Sequence, residues 1–107
     1  MPVCVQVIEV DVNGNKLRTF SRVEAPRHLS LDSQCRVFVA DFVNHHILLL
    51  NSQLQQDRVV VHAHSRVKLW QPTRLCFNES TSQLYVVYGV ESKDPSTCFV
   101  SIFNYLV

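Results

Sequence analysis

Only two glycines, Gly14 and Gly89, occur among 107 residues. That is too few for a glycine-rich phosphate loop, and no G-x-S-x-G elbow is present to carry a nucleophilic serine. The four cysteines, Cys4, Cys35, Cys76 and Cys98, include no C-x-x-C pair, which excludes a thiolate clamp for zinc. They are also too dispersed for a disulfide framework, and are expected as small buried or half-buried apolar residues. Charge of one sign is missing: ten Lys and Arg stand against nine Asp and Glu, a formal net charge of +1. This argues against the broad basic face of a strong nucleic-acid binder and leaves room for a local patch. Long apolar runs are absent; Ile47–Leu50 is only four residues, where a membrane span needs roughly 18–20. The opening Met1-Pro2-Val3-Cys4 lacks a basic start, and the stretch after it is broken by Gln6 and Glu9. No secretory leader is read from it, so a cytoplasmic protein is expected.

What the chain does have is short β-strands. Hydrophobic residues make up 47% and charged residues 18%, a globular balance with material for a modest core. Val5 to Val12 is rich in β-branched residues and runs into Asn13-Gly14-Asn15, whose Asn-Gly pair tolerates positive φ. Lys16 to Phe20 then alternates as a returning strand does, so the first twenty residues predict a β-hairpin. Four further strands follow, at His28–Leu31, Arg36–Ala40, His46–Leu50 and Arg58–His62, separated by polar turns. A helix over Ser52–Asp57 would have no apolar face to bury.

The unit repeats. Pro26 to Asp32 aligns with Pro72 to Asn78 at an offset of 46, and Val37 to Ala40 with Leu84 to Val87 at an offset of 47. Asp11 to Arg18 overlays Asn51 to Arg58 at an offset of 40. Strand-only periods of this length mark propeller blades. The expected fold is all-β: an open β-propeller fragment of four-stranded antiparallel blades. Residues 1–22 form the outer hairpin of a preceding blade, 23–64 a complete blade, and 65–107 a following, degenerate one.

The residues Pro26, Val37-Phe38-Val39-Ala40-Asp41 and Asn44-His45-His46-Ile47 resemble the NHL repeat, in which a V-x-V-A-D strand leads to an N-H-R-[VI] segment. The position that the family usually gives to arginine is His46, and in the last blade the Asp41 position holds Tyr88 before an insertion over Gly89–Ser96. The resemblance implies a binding surface. Many such propellers end tripartite-motif ubiquitin ligases, where they recruit substrates or RNA; no zinc-binding RING or B-box residues occur in this sequence. Asp41 and Asn44 are expected as structural turn residues, with Asp41 accepting N–H bonds from the turn that follows it. Val37, Val39 and Ile47 are expected to face neighbouring blades.

Sites for chemistry are few. His62-Ala63-His64 places two imidazoles on one strand face without a third ligand, and His45-His46 points to opposite faces. Asp11, Asp32 and Asp57 read as turn residues. No catalytic residue, resident metal or cofactor is expected. The residues beside Pro26 and Pro72 should lie near one rim, making Arg27, His28 and Arg74 the candidate partner-binding group. Trp70 is expected to pack between blades, and Arg58, Arg66 and Lys68 to guard outer strand edges. The first expectation is thus a non-catalytic module that presents a propeller face to a protein partner, in the manner of substrate recruitment within a larger ubiquitin-ligase-like protein. RNA binding on a basic rim and a metal-dependent propeller enzyme are the alternatives. A closed propeller needs at least four blades and this chain supplies about two and a half. Further blades in a parent chain, or self-association, are therefore expected as well.

Overall fold

The computed structural model describes Cys4 and residues 6–62, 69–89 and 98–104. Nine strands run through them: β1 (Val7–Val10), β2 (Lys16–Phe20), β3 (Pro26–Leu31), β4 (Val37–Asp41), β5 (His46–Leu50), β6 (Gln56–His62), β7 (Trp70–Asn78), β8 (Gln83–Gly89) and β9 (Cys98–Asn104). There is no helix among the described residues; Ser52–Asp57 is a turn entering β6, and Asp57 lies in the strand. The strands form three antiparallel sheets, each in chain order: the β1–β2 hairpin, the central sheet β3–β4–β5–β6 and the third sheet β7–β8–β9.

Turn chemistry explains the hairpins. Asp11, Asp32 and Asn51 each open a five-residue connection. In all three the side-chain oxygen accepts the amides two and four residues ahead, at 2.9 to 3.0 Å. The fourth residue has positive φ: 86° at Gly14, 59° at Cys35 and 58° at Leu54. Only the first of these positions carries the glycine that such a backbone favours.

Apolar residues on both faces then stack the sheets. Phe38, Ala40, Ile47, Leu49 and Val61 of the central sheet pack against Leu75, Phe77, Leu84, Val86 and Tyr88 of the third. Val37, Val39, Leu48 and Leu50 point the other way, toward Val7 and Phe20 of the hairpin. Val37 and Val39 therefore face a different neighbour from Ile47, because strand side chains alternate. Strands β4 and β5 are buried on both faces. All four cysteines are exposed, contrary to the expectation of burial: Cys35 occupies a turn, and Cys76 and Cys98 lie on the outward face of the third sheet, beyond which no described strand packs.

Strand register shows that the sheets share one plan. The central pairs His28↔Ala40, Leu29↔Val39, Ser30↔Phe38 and Leu31↔Val37 become Arg74↔Val87, Leu75↔Val86, Cys76↔Tyr85 and Phe77↔Leu84 in the third sheet. The shift is 46 residues on the first strand and 47 on the second. Both first strands are irregular near their proline, between Pro26 and His28 and between Trp70 and Arg74. The hairpin repeats β5–β6: Val10↔Lys16, Glu9↔Arg18 and Ile8↔Thr19 correspond, 40 residues on, to Leu50↔Gln56, Leu49↔Arg58 and Leu48↔Val59.

Candidate functional site

Asp41 closes the central sheet. It ends β4, has no solvent exposure, and its carboxylate accepts the amides of Ala25 at 3.1 Å and Glu24 at 3.3 Å. The Asn44 side-chain amide donates to it at 2.8 Å, and His46 Nε2 lies 3.2 Å away. The backbone donors thus come from the segment entering β3. The following turn contributes only a side chain, which corrects the expected direction. Burial pushes the Asp41 pKa up, and the bonds from His46, Asn44, Ala25 and Glu24 more than offset this, holding it at about 2. The Asn44–Asp41 bond spans the 41–46 turn, in which His45 takes a φ of 55°.

The sheets are joined by side chains that accept main-chain amides. His28 Nδ1 accepts Leu75 N–H at 3.3 Å, and Ser30 Oγ accepts Phe77 N–H at 3.0 Å. At the end of this seam Glu79 accepts from the Ser33 amide at 2.9 Å and from its hydroxyl at 2.6 Å. His45 Nδ1 accepts Gln71 N–H at 2.9 Å, and its ring stacks on Trp70 at 3.8 Å. Trp70 accordingly lies between the two sheets, as expected. In the third sheet Tyr88 takes the Asp41 position and bonds its hydroxyl to Ser101 Oγ at 2.8 Å.

The expected rim group is split by these geometries. His28 reaches the strand that carries Arg74, next to which Leu75 donates to its ring. Arg27 leaves the ladder at the β3 irregularity, and its guanidinium carbon sits 4.3 Å above the Phe42 ring, a cation–π contact. Arg27 and His28 border a cleft that also meets Ile8 and Leu29 of β1 and β3. A contiguous groove of about 470 Å³ continues along Leu29, Leu31, Ile8, Val37 and Leu54. Sequence reasoning missed this groove, although Leu29 and Leu31 were legible as apolar strand positions. Its signal is the comparison with Leu75 and Phe77, which becomes readable only once register is known.

No group of three potential metal ligands occurs among the described residues. The 63–64 half of the His62-Ala63-His64 candidate lies outside those residues, as do Arg66, Lys68 and most of the insertion over 89–96. No helix of the described residues is long and apolar enough to cross a membrane. No family model matches the chain, and no curated protein matches it.

Proposed function

We propose that the chain is a non-catalytic interaction module, an open run of NHL-type propeller blades that offers its uncovered sheet surfaces to protein. One observation carries this reading: apolar residues stay exposed at positions whose counterparts in the central sheet are covered. By register Val100 and Ile102 of β9 correspond to Ile47 and Leu49. The first two are 63% and 52% exposed, whereas the second two are fully buried against the third sheet. Ile8 and Val10 of β1, at 41% and 53%, correspond to Leu48 and Leu50 at 1% and 0%.

Apolar area left in water costs about 25 cal/mol per Å², and contiguous patches of this kind mark interaction surfaces. A protein surface suits them better than a nucleic acid, since these faces are apolar and Arg27 is engaged with Phe42. In a tripartite-motif-like parent, such a surface would serve substrate recruitment. The test is sedimentation velocity across a concentration series. Reversible association is expected, weakened by Val100→Lys and Ile102→Lys. A folded monomer at every concentration overturns the reading, and RNA binding abolished by Arg27→Ala and Arg74→Ala would favour the nucleic-acid alternative.

A further inference from the structure

From the groove between β1 and β3 we infer a docking site for an extended two-stranded segment of a protein partner, which adds to the edge of β1 that no described strand pairs and covers Leu29 and Leu31. This deepens the interaction-module reading and rests on it. The groove is lined by Ile8, Leu29, Leu31, Val37 and Leu54 among others. Leu29 and Leu31 are 47% and 63% exposed. Their register counterparts in the third sheet, Leu75 and Phe77, are 4% and 8% exposed, because β3 and β4 lie across β7.

The same comparison identifies the occupant. Strand β1 corresponds to β5, and β5 pairs on both edges, with β4 and with β6. Among the described residues β1 pairs only with β2, so the edge that β5 gives to β4 is open on β1. A strand running antiparallel to β1 fits it, as β4 fits β5, and main-chain hydrogen bonds supply affinity in such additions. The second strand would then lie over Leu29 and Leu31 as β3 lies over Leu75 and Phe77.

That second strand has a required chemistry. His28 and Ser30, two residues apart, accept the amides of Leu75 and Phe77. The amides of Leu29 and Leu31 hold the equivalent register positions. The partner's strand therefore carries acceptor side chains (Ser, Thr, Asn or neutral His) two residues apart, with apolar residues on the paired strand. The β3–β4 segment of this chain is itself a sequence of that type, since it fills the equivalent place one sheet further along.

The test titrates the whole chain into a fluorescein-labelled peptide of its own residues 24–42, read by anisotropy. Hydrogen exchange of the 7–10 amides is followed in parallel. Saturable binding with protection of those amides is expected. It should weaken at least tenfold with Leu31→Lys or Ile8→Lys in the chain, and severalfold when the peptide carries Ser30→Ala. Val100→Lys, on the opposite end of the stack, should leave it unchanged. Binding that ignores Leu31→Lys and Ile8→Lys overturns the inference, as does no binding at millimolar chain. No peptide binding in a chain that still self-associates through Val100 and Ile102 rejects the groove alone; loss of both rejects the underlying reading too.

Discussion

Ser30 and Phe77, 47 residues apart, are joined by a hydrogen bond from the Phe77 amide to the Ser30 hydroxyl at 3.0 Å. The repeat offset on their own strands, β3 and β7, is 46, so Ser30 reaches the amide one residue past its register counterpart, Cys76. Equivalent sheets set side by side bring near-counterparts into contact, and His28, which bonds the amide of Leu75 just past its counterpart Arg74, does the same. This seam is the most direct physical expression of the internal repeat.

Removing the acceptor tests what the seam contributes. Ser30→Ala deletes a half-buried partner of a main-chain amide, for an expected loss of about 1 kcal/mol in urea unfolding. Glu79→Gln, at the exposed end, should cost well under half of that.

Asp41 should be the most costly polar residue to replace. Asp41→Ala withdraws a buried carboxylate from four donors and is expected to cost about 3 kcal/mol. The check is the denaturant midpoint at pH 7.

The same carboxylate gives a pH signature. Its folded pKa of about 2 lies below the ordinary 3.8, so the stabilisation is complete above the unfolded value and is lost as pH falls through the folded one. Linkage sets the size at about 2 kcal/mol, disappearing between about pH 4 and pH 2. Asp11, held low chiefly by the Asn15 side chain, acts in the same direction from an exposed site. The pH dependence of stability should flatten in Asp41→Asn over that window.

Three equivalent turn positions should respond with different signs. A Cβ at Gly14 would meet nothing within 4 Å, so Gly14→Ala is expected to cost only the left-handed backbone penalty, about 1 kcal/mol. Cys35→Gly, at a φ of 59° and exposed, should stabilise by about 0.5 kcal/mol. Leu54→Gly relieves the same backbone yet removes a side chain that is 8% exposed and packed on the hairpin side of the central sheet. A net loss of about 1 kcal/mol is expected. Thermal unfolding of the three variants side by side is the measurement.

Phe38 links the two larger sheets, with its ring 4.8 Å from that of Phe77 and no exposure. Phe38→Ala should cost about 4 kcal/mol. The loss of protection should extend to β7 and β8 in hydrogen exchange.

The sequence alone determined the all-β character and nearly every strand, because alternation and Asx turns are local properties of a few adjacent residues. It also carried the offsets of 40, 46 and 47, which the ladders reproduce. Tertiary structure decided the rest. Asp41 reads locally as a turn residue, but its backbone donors, Glu24 and Ala25, lie seventeen and sixteen residues away in the chain. Arg27, His28 and Arg74 looked like one rim group until the β3 irregularity carried Arg27 onto Phe42 and left His28 facing β7. Leu29 and Leu75 are the same residue type in the same register, one exposed and one buried. Exposure depends on which sheet packs alongside, and no local pattern encodes that.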